Sequence, residues 1–179
     1  MPMAATKVWT IEELHRLPDD GNKYELVHGD LFVTPAPTPD HETIIARLGR
    51  LLDRYVEAQA LGHVYLARTV VQHQGSEVEP DLTVRQPPAP RSTGSDAPIP
   101  ILVVEVLSPS TRRRDLGEKR DFYLEVGVDE YWIVDPDLRA ITSVRSNRGD
   151  ISTRDILTWA PLGAREPLVV GVAKVFAED

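Results

Sequence analysis

An aliphatic run broken by a single acid, Ile101-Leu-Val-Val-Glu105-Val-Leu107, dominates the reading of this chain. Pro100 to Leu107 is apolar almost throughout, the signature of a strand buried on both faces. Such a strand belongs inside a sheet that other elements cover on each side. Glu105 in its middle is costly to bury unless a cation or a hydrogen-bond network meets it. A second acid, Asp81, follows Pro80 and heads the short run Leu82-Thr-Val84. Two carboxylates carried on strands of this kind point to a metal site rather than to solvated charge.

The remaining composition narrows the class. The chain has 179 residues, enough for one domain spanning 1–179 with a substantial core. It is 41% hydrophobic and 27% charged, as a soluble globular protein is. It has no cysteine, which excludes disulfides, thiolate zinc sites and cysteine nucleophiles and fits a cytoplasmic protein. The opening residues lack the apolar core of a signal peptide, and no apolar run approaches the roughly 20 residues that span a bilayer. The net charge of −8 argues against broad electrostatic adhesion to nucleic acid.

Local signals place the elements. Thr10-Ile-Glu-Glu13 is a capping-box pattern, so a short helix is expected over Ile11 to Leu17. Tyr24 to Val27 and Leu31 to Thr34 read as strands around a tight turn at His28-Gly29-Asp30. Thr34 to Pro39 is a stiff connector. Asp40 to Gln59 is the clearest helix, with Ile44, Ile45, Leu48, Leu51, Leu52, Tyr55 and Val56 forming one stripe. His63 to Val71 and Val78 to Val84 read as two strands around Gln74-Gly75-Ser76. Gln86 to Pro98 reads as a Pro- and Ser-rich loop between the two acidic strands. A helix is expected from Arg112 to Val126, with Gly127 past its end. Tyr131 to Val134, Arg139 to Arg145 and Ile151 to Leu157 follow as strands, and Leu168 to Phe176 fits strand or helix. Strand, helix, strand order around Glu105 implies an α/β (α+β) mixed sheet with helices on its faces.

Asp81 and Glu105 are hard oxygen ligands. A magnesium-type ion needs only one or two of them, with water and a substrate phosphate completing its octahedron. That reading requires the two strands to be neighbours. Taken alone, Asp81 reads equally well as a strand-start or turn residue after Pro80, and Glu105 reads second as an edge-strand residue facing water.

Together the residues resemble a known family. Pro80-Asp81, then Glu105 on an aliphatic strand, resembles the PD-(D/E)xK nuclease superfamily. Val-Val-Glu105-Val-Leu-Ser-Pro-Ser-Thr111, Asp115, Lys119, Tyr123, Gly127-Val128 and Glu130-Tyr-Trp-Ile-Val-Asp135-Pro136 resemble its Uma-type restriction endonuclease branch. Tyr24-Glu25-Leu-Val-His-Gly29 and Pro39-Asp40-His41 extend the likeness, which covers about residues 10 to 178. The resemblance implies a restriction-endonuclease-like core in which Asp81 and Glu105 hold Mg²⁺ or Mn²⁺. The superfamily's lysine normally stands two residues after the second acid, where this chain has Leu107. Lys119 on the following helix is the implied substitute, with Leu116 and Tyr123 placing it near the buried face.

Seven other residues stand close in the pattern. Glu25 is implied as a third carboxylate, or else a hairpin charge facing water. His41, on the edge of the apolar stripe, reads first as a cap or a satisfied core histidine and second as a residue near the site. Ser108 and Thr111 read as helix caps, and Asp115 as a partner of Lys119 one turn away. Tyr131 and Trp132 read as core or dimer-interface aromatics.

The expected activity is metal-dependent hydrolysis of DNA phosphodiesters, with Lys119 positioning the nucleophile and offsetting charge on the non-bridging oxygen. Two alternatives stay open: a homo-oligomeric nucleic-acid-binding protein of the same fold with little activity, and a hydrolase of another phosphate ester. The duplex's two-fold symmetry makes a homodimer the natural expectation for double-strand cutting. The acidic total argues against DNA, but Leu107 to Arg120 carries a local charge of +3, and three arginines at a helix start suit an anion.

Overall fold

The computed structural model describes residues 7–66, 69–86 and 97–177. Its centre is a six-stranded mixed sheet in the order β10-β9-β8-β7-β6-β3. β7 (Leu102–Val106) holds an inner place, buried at every position. β8 (Glu130–Asp135) runs parallel to it, and β6 (Leu82–Arg85) runs antiparallel on its other side. Two parallel neighbours need a crossover, which α3 (Arg112–Leu116) and α4 (Glu118–Val126) provide. β3 (His63–Leu66) closes one edge, and β9 (Ala140–Arg145) with β10 (Arg148–Thr153) closes the other.

The pleat sends alternate residues of β7 and β8 into two separate cores. Leu102, Val104, Val106, Trp132 and Val134 join one core with Leu48, Leu52 and Val56 of α2 (Pro39–Ala58). β11 (Ile156–Trp159), β12 (Leu168–Gly171) and α5 (Val172–Val175) complete that layer. Val103, Leu107, Tyr131 and Ile133 face Phe122, Tyr123 and Val126 of α4 instead. That second core also takes Val27 from β1 (Lys23–Val27), Val71 from β4 (Val71–His73) and Val78 from β5 (Ser76–Val78). These strands, with β2 (Asp30–Thr34), form an antiparallel sheet in the order β2-β1-β5-β4. The expected mixed sheet flanked by helices is therefore present, and Glu105 lies on an inner strand rather than at an edge.

Several local expectations hold at the level of hydrogen bonds. Thr10 Oγ1 accepts from the Glu13 amide, and the Glu13 carboxylate accepts from the Thr10 amide, completing the capping box of α1 (Ile11–Leu14). His28 and Gly29 both take positive φ, 49° and 87°, as a two-residue hairpin between twisted strands requires. Thr38 caps α2 by accepting from the His41 amide.

Others shift. α1 stops at Leu14, and Leu17 closes only a following turn onto the Leu14 carbonyl. The stretch read as two strands around Gln74-Gly75 is four. β4 and β5 make the hairpin in the small sheet, while β3 and β6 pair in the large one. Pro80, without an amide hydrogen, separates β5 from β6. The helix expected over Arg112 to Val126 breaks at Gly117 (φ −115°, ψ −97°), so helical spacing does not carry across it and Leu116 is exposed. Thr111 makes no side-chain cap, its hydroxyl accepting from the Ser108 amide instead. The tail is both strand and helix, β12 then α5. Ten residues of the Gln86 to Pro98 loop, 87–96, lie outside the described residues.

Candidate active site

The register of β6 against β7 brings the two acids together. Leu82 pairs with Val104, so Asp81, one residue earlier, stands opposite Glu105. Both line one cavity of about 1020 Å³, walled by the end of α1, the Thr34–Thr38 connector, the start of α2 and the turn after β7. The condition that sequence left open, adjacency of the two strands, is met.

Each carboxylate is held differently. Glu105, 2% exposed, accepts at Oε1 from the Tyr123 hydroxyl (2.6 Å) and also meets the Lys119 ammonium there. Burial is the largest influence and pushes its carboxyl up to about 7, although Lys119 pulls the other way. Asp81 Oδ2 accepts from the Val106 amide (2.8 Å) and lies 3.2 Å from His41 Nε2. Burial disfavours its charge too, but His41 and Lys23 more than offset that and hold it well below the ordinary carboxylate range.

Lys119 is wholly buried. Its ammonium meets Glu105 Oε1 and Glu25 Oε1 (2.8 Å), with Asp115 Oδ1 at 3.9 Å. Burial opposes its charge, yet Glu105, Glu25 and Asp115 lift it well above the usual lysine range. Glu25 is also wholly buried. It takes Lys119 and the Glu79 amide (3.0 Å) on Oε1, and Arg114 approaches Oε2 at 3.2 Å. Its neighbours keep the carboxyl low in spite of burial, Lys119 foremost, then Lys23 and Arg114. Glu25 is thus neither a solvent-facing hairpin charge nor a cavity-lining ligand, but the counter-ion of the buried cations.

Sequence reasoning gave His41 a structural role first, and the structure places it in the site. Its Nε2 is shared between Asp81 and the Val106 carbonyl (3.0 Å), the carbonyl just after Glu105. Lys23 was not singled out. Its Nζ donates to the Glu79 carbonyl (3.0 Å) and stands 3.5 Å from Asp81 Oδ1. The signal was available, because Lys23 lies two residues before Glu25 on one strand and so shares its face. Tyr131 is buried, with its hydroxyl on the Asp115 carbonyl, and Trp132 is core.

Three arginines of the basic stretch are ion-paired with acids elsewhere in the chain, while Arg113 is exposed. Arg112 pairs with Asp135 (2.7 Å) and Asp137, Arg114 with Glu25, and Arg120 with Asp150 (3.1 Å). The local +3 is spent largely on internal ion pairs.

Among the described residues, no group of three or more His, Asp or Glu side chains stands close enough to hold an ion by itself. What is present is a pair of carboxylates on one cavity wall. Such a pair suits an ion that fills its remaining positions with water and substrate phosphate oxygens, as Mg²⁺ does. The Glu105 carboxyl, desolvated and raised, is a group that a divalent cation would return to its charged form. On this chemistry the residues fit a hard divalent cation.

The profile of the Uma2 family, described as "Putative restriction endonuclease", matches residues 11–169. An uncharacterized protein of Synechocystis sp. (strain ATCC 27184 / PCC 6803 / Kazusa) is 31% identical over 103 residues, 56% of this chain and 54% of that protein. The match therefore spans about half the length of that curated relative. A crystal structure described as a putative nuclease belonging to DUF820, from Anabaena variabilis ATCC 29413, has a TM-score of 0.79 at 20% identity. The match covers 94% of this chain and 97% of that one, and shows a shared restriction-endonuclease-like fold. No described helix is long and apolar enough to cross a membrane.

Proposed function

We propose that this chain, which belongs to the Uma2 restriction endonuclease family, is a metal-dependent endonuclease that hydrolyses phosphodiester bonds in DNA. The observation that carries the reading is the pairing of Asp81 with Glu105 on one cavity wall, with Glu105 desolvated.

Asp81 and Glu105 would hold Mg²⁺ or Mn²⁺. A divalent ion bound there supplies Lewis acidity and a water acidic enough to act as nucleophile near neutral pH. The chain's own residues prepare the two carboxylates. Tyr123 and Lys119 occupy Glu105 Oε1 and fix the side chain's orientation. The Val106 amide and His41 fix Asp81 Oδ2. Glu25 balances Lys119 and Arg114, so the acidic pair is held by a framework whose charges are matched in pairs. Groups that orient ligands in this way typically change metal affinity 10- to 100-fold when removed. Tyr123→Phe is accordingly expected to weaken Mn²⁺ binding by about tenfold or more in isothermal calorimetry, with the fold retained. Unchanged affinity would remove Tyr123 from this role.

The reading is tested by incubating supercoiled plasmid, single-stranded DNA and bis(p-nitrophenyl) phosphate with Mg²⁺, Mn²⁺ or EDTA. Ion-dependent cutting of DNA is expected. Hydrolysis of the small diester with DNA left intact would favour a hydrolase of other phosphate esters. The commitment of the Lys119 ammonium to Glu25 and Glu105 favours a second reading, a homo-oligomeric nucleic-acid-binding protein of the same fold with little activity. Failure to hydrolyse any of the three substrates would leave that one standing.

A further inference from the structure

We infer that Lys23, rather than Lys119, is the lysine that contacts the substrate phosphate. This inference rests on the endonuclease reading and names a further catalytic residue within it.

A cation that stabilises a phosphoryl group in flight must reach the cavity where that group sits. Lys119 does not reach it. Its side chain is 0% exposed, it is absent from the cavity wall, and its ammonium is committed to two carboxylates, Glu25 and Glu105. Pulling it into the cavity would take it away from Glu25 and Glu105 together, and removing the cation from a buried ion pair is strongly unfavourable. Lys119 is therefore a positioning residue.

Lys23 meets the requirement from the opposite side. It opens β1, lines the same cavity as Asp81 and Glu105, and its side chain is 24% exposed. Its ammonium has three donors. One is used on the Glu79 carbonyl at 3.0 Å, while the Asp81 contact at 3.5 Å is long for a hydrogen bond. The anchoring carbonyl is neutral, so it places the ammonium without cancelling its charge. Glu25 Oε1, at 4.0 Å, lies beyond hydrogen-bond reach. Lys23 thus stands beside the metal carboxylates with donors to spare, the position from which a non-bridging phosphate oxygen can be bound.

In the step itself, the oxygen of a water forms a bond to phosphorus as the bond to the departing sugar oxygen breaks. The attacking water's proton leaves to solvent, and the departing alkoxide takes a proton from solvent. Lys23 remains an ammonium throughout and donates a hydrogen bond to the non-bridging oxygen, where charge accumulates.

The test compares wild type, Lys23→Met, Lys23→Arg and Lys119→Met. Each is assayed for hydrolysis of bis(p-nitrophenyl) phosphate and single-stranded DNA in saturating Mn²⁺. Calorimetry measures Mn²⁺ affinity, and thermal melting reports the fold. Lys23→Met is expected to lower kcat by about 100-fold or more, the size of effect seen when one transition-state donor is deleted, with Mn²⁺ binding kept or tightened. Lys23→Arg should recover part of the rate, because it restores a cation at the same place. A folded Lys23→Met that keeps kcat within about tenfold of wild type overturns the inference. So does a Lys23→Met that fails chiefly through lost Mn²⁺ affinity, which would make the residue a support for Asp81. Wild type inactive on both substrates sinks the endonuclease reading and takes this inference with it. Wild type active beside an equally active Lys23→Met sinks the inference alone.

Discussion

Glu105→Gln is expected to reduce ion-dependent hydrolysis by three orders of magnitude or more while the chain stays folded. The substitution keeps the shape of the side chain, and its carbonyl oxygen can still accept from Tyr123 and Lys119. What is lost is the negative charge on an oxygen ligand, and with it metal affinity and water activation together. Asp81→Asn should act alike, because its carboxylate faces the same cavity. Plasmid nicking and Mn²⁺ calorimetry at equal folded concentration measure both effects. Full activity in either variant would remove that residue from the metal site.

The same group gives the metal-free protein a distinctive pH dependence. The Glu105 carboxyl rises from 4.5 to about 7 on folding, chiefly through burial. A carboxyl raised in the folded state binds its proton more tightly there. Its contribution to stability is full below about 4.5 and fades as pH rises through about 7. Metal-free wild type should therefore lose stability across that window relative to Glu105→Gln, and added Mn²⁺ should restore it by mass action. Urea unfolding at several pH values, with and without Mn²⁺, reads both effects.

Lys119→Met is expected to cost about 3–5 kcal/mol of folding stability, the usual effect of removing one partner from a buried ion pair. Methionine matches the length of the lysine stem but leaves the buried Glu25 and Glu105 without their shared cation. Adding Glu25→Gln to Lys119→Met should return part of the loss, because one uncompensated charge disappears. The double-mutant cycle should then show a coupling of about 1–3 kcal/mol. Chemical denaturation of the four variants supplies the numbers. A single-mutant loss under about 1 kcal/mol would mean that Lys119 is not the cation holding this cluster together.

The legible parts of this protein were those written in short-range chemistry. The stripe from Ile44 to Val56 needed only helical spacing to declare α2, and Thr10 with Glu13 needed only a four-residue pattern to start α1. Gly127, at φ 87°, ends α4 where a residue free of Cβ strain was expected. The helix break at Gly117 escaped notice, since a lone glycine in a helical pattern is often tolerated. The four-strand division between His63 and Arg85 escaped as well, because pairing partners are chosen across the chain rather than within it.

The site divides along the same line. Residue types alone determined that Glu105 sits inside an aliphatic run and that, once buried, it needs a partner, since the energy of an acid in such a run depends on its immediate neighbours. Only the tertiary structure decided which groups answer that need. Antiparallel pairing of β6 with β7 sets Asp81 opposite Glu105. The crossover through α4 brings Lys119 and Tyr123 over Glu105, and β1 of the small sheet adds Glu25 and Lys23. Pairing also turned Arg112, Arg114 and Arg120 from an apparent basic patch into partners of distant acids. Electrostatic energy depends on distance through space, and residues more than 50 positions apart in the chain acquire that distance only when the sheets assemble.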